Sequence, residues 1–494
     1  MSEDRSPPRL SKPELVAARL ILALPVVVLV LPLFSLSENL HSVGESTTYD
    51  RIALAIRTFW GQSSETASGL SAWKIDHNFP LGTAFIFALP VALGLDPVSP
   101  LRLHSALWAL LTTVALYRLF RPQLRPITAA LSATAPWWVP AFARGSVVSG
   151  EEAPTVGLML VGLLALAHAR DRPRALILSC LAVNGMVLFR LDAMFIPPFF
   201  ALAGLWVVGG RRAILYAVGC AGTTLLHLGT TWLLTGDPLD FARVATRVTG
   251  SIATKASVSP LDFLTATASY LGGWPILVLA LLGLLALLRN PSTVHKLFLG
   301  LFAWLAFGYT LAVGVPVLEV DIPRYFVPFL TLLAAAVPLA ALWLPRRKYL
   351  REGAAGAALL LLALLNLGTI KAQAQEARLE PGLLEASSWL HTCAPGLRTL
   401  STHRAPALQL AAGHRTEPVH LLNSRWNTSN PRPMGEELNA KGAEVLVLVG
   451  SGPEVQEFRA SKIRDWLYVW QDKQVVIYSR VSPSQRERLL SCRK

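Results

Sequence analysis

Charged residues are scarce in this sequence: aspartate, glutamate, lysine and arginine make up 15% of its 494 residues. Soluble globular proteins carry about 25%, whereas mean hydropathy here is +0.46 and 53% of residues are hydrophobic. The sequence also lacks low-complexity tracts and internal repeats of about 20–50 residues, which excludes repeat architectures. A fold exposed mainly to water is therefore excluded, and most of the chain is expected to face lipid.

Long apolar stretches, by contrast, are abundant in the first 370 residues. Eleven are predicted to cross a bilayer: 15–36, 101–120, 126–143, 153–169, 174–190, 193–210, 213–235, 267–288, 296–316, 324–344 and 353–370. Each reaches or approaches the about 20 residues that a helix needs to cross hydrocarbon. Lipid offers no partners to backbone N–H and C=O groups, so the spans must be helical. The predicted class is a polytopic α-helical membrane protein.

The links between these stretches alternate in charge. One set is basic: Arg121, Arg125, Arg170, Arg172, Arg174, Arg211, Arg212, Arg289, Lys296, Arg346, Arg347, Lys348 and Arg351. The other set holds the acids: Glu45, Asp50, Asp76, Glu151, Glu152, Asp192, Asp237, Asp240, Glu319 and Asp321. By the positive-inside rule the basic links, and with them the N-terminus, face the cytoplasm.

The apolar segment 80–95 is not counted as a span, because a crossing there would place every later basic link outside. It is short, and Pro80 and Pro90 remove helical hydrogen bonds. We expect it to be re-entrant or to lie at the outer interface. The odd number of spans then places the C-terminus on the periplasmic side of a bacterial inner membrane.

The formal net charge of +14 lies mostly in the basic links, where it faces anionic headgroups. It therefore indicates the lipid bilayer as a partner and gives no indication of nucleic acid. A cleavable signal peptide is not expected, since the first apolar run is too long and lacks a small-residue cleavage site.

Residues 371–494 differ in kind from residues 1–370, because they are polar. They contain an amphipathic stretch and three β-rich runs: 382–392, then 397–401, 444–449 and 474–479. This pattern predicts a soluble α/β domain on the outer face. Its Cys393 and Cys492 could pair in an oxidising compartment or remain free thiols, and the sequence leaves both open.

The first outer loop, residues 37–100, is predicted to carry the chemistry. Apolar residues recur at helical spacing over 49–60, which predicts a helix lying in the membrane interface. An acid precedes this helix at Glu45, and the box DHNFPL follows at 76–81. An acid and a proline-containing box at this depth suit a reaction at the membrane surface.

The order of motifs resembles the GT-C glycosyltransferases, in particular protein O-mannosyltransferases and aminoarabinose transferases of lipid A. After the loop motifs, R-L-x-S-A opens the second span at 102–106. Further matches lie at the outer ends of later spans: Arg144-Gly145-Ser146 before Glu151-Glu152, Arg190-Leu191-Asp192, and Arg324-Tyr325. The resemblance covers roughly residues 1–370 as a catalytic domain, and residues 371–494 more loosely.

The resemblance implies transfer of a sugar from a polyprenyl-phosphate carrier to a glycan, lipid or protein acceptor outside the inner membrane. The acceptor hydroxyl must lose its proton as it attacks, which requires a carboxylate base. The departing lipid phosphate is an anion that needs cations or a metal. A divalent metal is compatible with this hypothesis, although the sequence identifies no ligand set.

Glu45 is the predicted catalytic base, with Asp50 as second choice. The family commonly has Asp-Glu at the head of this helix, whereas this chain has Gly44-Glu45. The alternative is a capping box, in which Glu45 bonds the backbone of Ser42. The catalytic interpretation is preferred because of the position of the acid beside the interface.

Lys74, His77, Arg324 and Tyr325 are predicted to bind the carrier phosphate. Lys74 equally fits snorkelling toward headgroups, and His77 stands one position early in a box that departs from His-Pro-Pro-Leu. Arg324 begins an outer helix, where the helix dipole disfavours a cation. A bound anion would explain its presence there.

Glu151 and Glu152 are predicted to bind the acceptor or to supply a second acid. The alternative is that they cap the helix that follows, with Pro154 in its first turn. Arg190 and Asp192 are expected to pair with each other across their turn.

Two rival functions remain open at this point. A secondary transporter would keep ionisable groups mid-membrane, yet the spans hold little beyond Asn184, His227 and Asn366, and neither an inverted repeat nor paired broken helices are predicted. The other rival is a different kind of enzyme that uses lipid-linked sugars, an O-antigen-type polymerase or ligase. Such enzymes place their large outer loop between late spans rather than after the first.

Overall fold

The structure is a computed structural model that divides into two compact units. The residues it describes are 12–30, 98–147, 151–240, 243, 259–289, 292–314, 323–345, 347–376, 382–401, 419–421, 436, 438–439, 442–449, 453–460, 465–472 and 475–492. Lys12–Val30 and Ser99–Ala374 belong to the first unit, and the residues from Gln375 onward belong to the second.

The first unit is helical. Its helices are α1 (Lys12–Pro25), α2 (Val98–Phe120), α3 (Pro126–Thr134), α4 (Pro140–Val147), α5 (Glu152–Ala167), α6 (Pro173–Phe189), α7 (Pro197–Val207), α8 (Gly210–Cys220), α9 (Gly222–Thr235), α10 (Pro260–Leu271), α11 (Trp274–Leu288), α12 (Thr293–Gly314), α13 (Val327–Ala336) and α14 (Lys348–Glu376). Shorter helical segments join them: Val26–Val30, Ala135–Trp138, Leu191–Phe195, Pro323–Phe326 and Val337–Trp343. Proline occupies the first helical turn of several, where its missing N–H is not needed.

Several helices are long and apolar enough to cross a membrane. Five qualify singly: Lys12–Val30, Leu103–Phe120, Thr293–Gly314, Pro323–Trp343 and Tyr349–Lys371. Two bent helix pairs raise the number to as many as seven, and shorter apolar helices cover Glu152–Ala167, Pro173–Phe189 and Leu191–Val207. The predicted helical, polytopic class is confirmed at this level, and the number eleven stays a prediction.

Two predicted spans are interrupted by bends that the sequence analysis did not predict. Helices α8 and α9, within the predicted span 213–235, meet at 40°. Helices α10 and α11 meet at 98°, so the continuous helix predicted over 267–288 is wrong. Gly272 and Gly273 cause the second bend with φ of +100° and +114°, values that side chains other than glycine rarely tolerate.

Asparagine side chains, buried Asn366 and half-buried Asn184, form hydrogen bonds at both bends. Asn366 of α14 donates its Nδ2 to the carbonyl of Leu271 at 2.8 Å, at the end of α10. Asn184 of α6 donates to the carbonyl of Gly219 at 2.8 Å and accepts from the N–H of Thr223 at 2.6 Å, so it spans the break between α8 and α9. The backbone groups that each bend removes from a helix thereby regain partners.

Helix α13 lies at the centre of the first unit, since all ten of its residues are buried. Gly283 lets α11 approach it, because a methyl group at this position would overlap the carbonyl of Ala336. Aromatic side chains fill the space on the other side: the Tyr309 ring lies 5.2 Å from that of Phe326, centre to centre. The core therefore combines small residues between helices with rings at their ends.

The predicted inner ends of three helices are joined by charge. Arg125, at the start of α3, lies 3.9 Å from Glu14 of α1 and 3.7 Å from Glu352 of α14. Nearby in the sequence, the guanidinium of Arg351 donates to the carbonyls of Leu342 and Leu344 after α13. These basic residues therefore bond or pair with groups at the ends of neighbouring helices.

The second unit contains a five-stranded sheet with the order β2-β1-β3-β5-β4. Its strands are β1 (Thr399–Ser401), β2 (Val419–Leu421), β3 (Val445–Val449), β4 (Leu467–Asp472) and β5 (Val475–Ser479), and its helices include α15 (Leu383–Cys393), α16 (Pro453–Ala460) and α17 (Pro483–Ser491). Strand β1 pairs in parallel with β2 and β3, whereas β5 pairs antiparallel with β3 and β4. Each of the three predicted β-rich runs contains a strand.

A disulfide joins Cys393 and Cys492, so the question that the sequence left open is resolved in favour of pairing. It links the end of α15 to the residue after α17, across a sequence separation of 99. A loop of that length constrains the unfolded chain strongly. Cys180 and Cys220 remain free thiols in the first unit.

Replacing Asn366 with leucine should lower the thermal unfolding midpoint of the purified protein. The substitution leaves the carbonyl of Leu271 buried without its side-chain partner, which costs about 1–3 kcal/mol. Leu364→Ala is the matched control, since Leu364 lies on the same helix and is 63% exposed. A midpoint for Asn366→Leu no lower than that of the control would contradict the proposed support of the bend.

Candidate functional site

Half of the predicted site residues can be located. Glu45, Asp50, Lys74 and His77 lie outside the described residues, as do the interfacial helix and the segment 80–95. The other four, which are Glu151, Glu152, Arg324 and Tyr325, are described. The structure brings these four together and adds Arg190 and Asp192 to them.

Arg190 is the centre of the group. Its Nε and Nη2 donate to the two carboxylate oxygens of Asp192 at 2.9 and 2.6 Å. Its Nη1 donates to Oε1 of Glu152 at 3.3 Å. Arg190 and Glu152 are each 5% exposed, and arginine keeps its charge in proteins. The two form a buried ion pair, which half-buried Asp192 extends to a triad.

Helix ends place the three charges. Glu152 begins α5, and Arg190 directly follows α6, so the antiparallel pair of helices brings them to the same end. Asp192 lies in the short helix Leu191–Phe195, whose turn directs it back to Arg190. Gly145 of α4 allows the approach of α5, because a methyl group there would lie 3.1 Å from Cβ of Glu152.

Arg324 and Tyr325 complete the group from a separate element, the short helix Pro323–Phe326. The Tyr325 ring stands between two guanidinium groups, with Arg190 at 5.8 Å and Arg324 at 5.4 Å from its centre. Arg324 is exposed, and among the described residues no carboxylate lies within ion-pair distance of it. The charges of Glu152 and Glu151 nevertheless act on it through space.

A layer of rings supports this arrangement. Tyr309 of α12 is 2% exposed and contacts Phe195 at 5.1 Å between ring centres. Phe195 closes the short helix that carries Asp192, and its carbonyl accepts a hydrogen bond from Trp304 at 2.7 Å. The aromatic layer therefore fixes the backbone on which the charged group is built.

The capping alternative for the acid pair is not what the structure contains. Glu151 is the N-cap residue of α5, but its side chain makes no cap hydrogen bond. The carboxylate of Glu152 bonds Arg190 instead and also lies in the first turn, where the helix dipole favours an anion. The predicted pairing of Arg190 with Asp192 is confirmed.

The site offers two kinds of charge. Three carboxylates and two guanidinium groups are gathered, and one of the cations is accessible. Within the ranges that the structure describes, no group of three or more histidine, cysteine, aspartate or glutamate side chains is placed to hold a metal ion. The described part therefore suits an anion beside Arg324 and a hydroxyl beside Glu151.

Comparison with known proteins identifies the fold that contains this site. A family model described as dolichyl-phosphate-mannose-protein mannosyltransferase matches residues 78–231. The crystal structure of ArnT from Cupriavidus metallidurans in the apo state superposes with a TM-score of 0.62 at 14% identity, covering 97% of this chain and 99% of that one. The chain has the GT-C glycosyltransferase fold.

Other GT-C structures agree with this assignment. ArnT from Cupriavidus metallidurans bound to undecaprenyl phosphate gives a TM-score of 0.61 at 13% identity, over 95% of this chain and 98% of that one. The oligosaccharyltransferase AglB from Archaeoglobus fulgidus, in complex with an inhibitory peptide and a dolichol-phosphate, gives 0.58 at 12% identity, over 95% and 74%. No curated protein sequence is significantly similar to the chain.

The ion pair between Glu152 and Arg190 is the part of the candidate site that sequence reasoning missed. The two residues are 38 positions apart, and pairing within the motif Arg190-Leu191-Asp192 seemed sufficient for the arginine. The available indication was topological, since two helices joined by a short link bring the start of one beside the end of the other. The family model covers both residues, whereas Arg324 lies beyond it.

Replacing Arg190 with glutamine should destabilise the protein strongly. Removing one partner of a buried ion pair costs about 3–5 kcal/mol, because the remaining charges stay desolvated. Arg289→Gln is the control, since Arg289 lies over the ring of Trp343 at 4.6 Å, a contact worth about 0.5–1 kcal/mol at exposed sites. Thermal unfolding of the two variants measures the difference, and equal midpoints would show that the triad does not stabilise the fold.

Proposed function

We propose that this chain transfers a sugar from a polyprenyl-phosphate carrier to an acceptor hydroxyl on the periplasmic face of a bacterial inner membrane. The observation that carries the proposal is an exposed arginine, Arg324, beside a pair of acids that a buried arginine holds in place. The group lies at one end of a GT-C helical bundle. ArnT bound to undecaprenyl phosphate and AglB bound to a dolichol-phosphate support the choice of donor.

Arg324 is assigned to the carrier phosphate. Arg190 cannot serve, because Asp192 and Glu152 occupy its guanidinium. Arg324 keeps its donors accessible, and a planar guanidinium can bind phosphate oxygens in pairs. The guanidinium of Arg324 lies 5.4 Å from the centre of the Tyr325 ring, and this contact would limit the positions that the exposed side chain adopts.

The acid pair divides into two roles. Glu152 is buried and bonded to Arg190, so its role is to fix the start of α5. Glu151 precedes it at the mouth of the site and is partly exposed. We assign Glu151 to the acceptor, whose hydroxyl it would orient by accepting a hydrogen bond.

Glu45 is assigned as the general base, and Asp50 is the second choice. The acceptor oxygen attacks the anomeric carbon as its proton passes to the carboxylate. The bond from that carbon to the phosphate oxygen breaks, and the lipid phosphate leaves with the electron pair. Lys74 and His77 are assigned, with Arg324, to the charge that develops on this leaving group.

The wider architecture belongs to the same proposal. Eleven spans would leave the N-terminus in the cytoplasm and residues 371–494 on the periplasmic side, where the sheet-containing unit would contact the acceptor. The acceptor itself would be a glycan, a lipid or a protein. The polyprenyl tail would stay in the bilayer while its phosphate reaches the charged group.

Replacing Arg324 with glutamine should lower kcat about 10²-fold with reconstituted enzyme and a polyprenyl-phosphate sugar, the scale of losing one group that stabilises a developing anion. The kcat of Arg324→Lys should lie between those of the wild type and Arg324→Gln, because lysine keeps the charge and loses the paired donors. Arg289→Gln, a cation at the other end of the bundle, should leave kcat unchanged. Equal loss in Arg324→Gln and Arg289→Gln would exclude a role in the reaction.

Replacing Glu45 with glutamine should lower kcat by about 10²–10⁴-fold, the contribution of a general base. The experiment compares it with Asp50→Asn across a panel of polyprenyl-phosphate sugars, with product measured by mass spectrometry. Full turnover by Glu45→Gln together with loss in Asp50→Asn would move the base to Asp50. Solute counterflow in sealed vesicles without any sugar transfer would favour a secondary transporter instead.

A further inference from the structure

A second feature lies at the opposite end of α6 from the charged group. A groove of about 360 Å³ runs between the first half of α6 and the start of α8, and its lining includes Pro173, Ile177, Leu181, Leu215 and Arg212. Its volume falls in the about 300–1,000 Å³ range of small-ligand sites. The 17 residues of α6 rise about 25 Å, so the groove and the Arg190 site are distinct.

The polar groups at the floor of the groove already have hydrogen-bond partners within the protein. The hydroxyl of Tyr216 pairs with that of Ser179 at 2.8 Å, and Ser179 donates to the carbonyl of Gly162 at 2.8 Å. Deeper along the helices, Gly219 comes so close to Cys180 that a methyl group would lie 2.8 Å from its sulfur. An occupant of the floor must therefore be apolar and narrow.

The links before the two helices that line the groove are rich in arginine. Five exposed arginines lie close in the sequence to the residues that line the groove: Arg170, Arg172, Arg174, Arg211 and Arg212. Asp171 is the acid in these links, and no described carboxylate lies within ion-pair distance of any of the five. Arg212 itself lines the groove. A cation without an ion-pair partner among the described residues therefore lies beside the apolar lining.

We propose that this groove binds an anionic glycerophospholipid, with its phosphate at Arg212 and one acyl chain along α6. A soluble anion would have no use for the apolar floor, and a neutral lipid would leave the arginines without counter-charge. Exposed Ile177, Leu181 and Leu215 continue the apolar surface outward at 63–65% exposure. Basic pockets between membrane helices bind anionic headgroups by the same combination of contacts.

Cys180 provides the test, because it lines the groove. The chain has four cysteines: Cys393 and Cys492 are joined, and Cys220 is 1% exposed. Purified, delipidated full-length protein would be labelled with N-ethylmaleimide during titration with phosphatidylglycerol, phosphatidylcholine, inorganic phosphate or undecaprenyl phosphate. Labelling of Cys180 would be followed by peptide mass spectrometry in wild type, Arg212→Gln and Arg211→Gln.

We expect phosphatidylglycerol to slow the labelling of Cys180 at least fivefold in wild type and in Arg211→Gln. Arg212→Gln should need about tenfold more lipid for the same protection, a loss equivalent to about 1.4 kcal/mol. Phosphatidylcholine and inorganic phosphate should give less than twofold protection. Equal protection by phosphatidylcholine, equal behaviour of the two variants, or tighter protection by undecaprenyl phosphate would each overturn the proposal.

Discussion

The guanidinium group of Arg190, buried between two carboxylates, determines how the ends of α5 and α6 can be arranged. Arginine cannot lose its proton to escape a low-dielectric site, so its desolvation must be offset by opposite charge in good geometry. Asp192 supplies two hydrogen bonds from the next turn, and Glu152 supplies a third from the neighbouring helix. Neither helix end can move without exposing a charge to an apolar surrounding.

The fixed position of Arg190 also restricts the positions of Glu151 and Arg324. Glu151 is the residue before Glu152, and the centre of the Tyr325 ring lies 5.8 Å from the guanidinium of Arg190 and 5.4 Å from that of Arg324. The half-buried Glu151 and the exposed Arg324 therefore take their positions from the buried pair of Arg190 and Glu152. For the proposed reaction at a membrane surface this support matters, because charged groups carried by loops alone would be free to follow solvent and headgroups.

At the helix bends, uncharged backbone groups likewise need partners inside the protein. A break inside an apolar region removes backbone groups from the helix, and lipid cannot satisfy them. Asn366 bonds the end of α10, and Asn184 bonds both sides of the break between α8 and α9. These two polar residues inside the predicted spans thus have structural partners, which removes one reason to expect an ion pathway through them.

Much of this could be predicted from the sequence, and the limits have physical causes. Apolar length identified the helical class, and motif order identified the GT-C resemblance, because both are local in the chain. The bend at Gly272 and Gly273 was missed because glycine is also common inside membrane helices, and only a partner such as Asn366 reveals its role. The ion pair of Arg190 with Glu152 was missed because it joins separate helices, and pairwise contact is a property of packing.

The two ends of α6 explain why the links alternate in charge at all. At one end Arg190 is neutralised inside the protein, and the surplus charge is left on acids and on Arg324, which face a shared site. At the other end no carboxylate among the described residues lies within ion-pair distance of Arg212 or its neighbouring arginines, and we propose that an anionic lipid supplies their counter-charge. A reaction site requires charged groups that the protein holds in fixed positions. At a surface that contacts headgroups, lipid anions can neutralise the basic side chains. The alternation in the sequence therefore separates a preorganised end from an end that its surroundings complete.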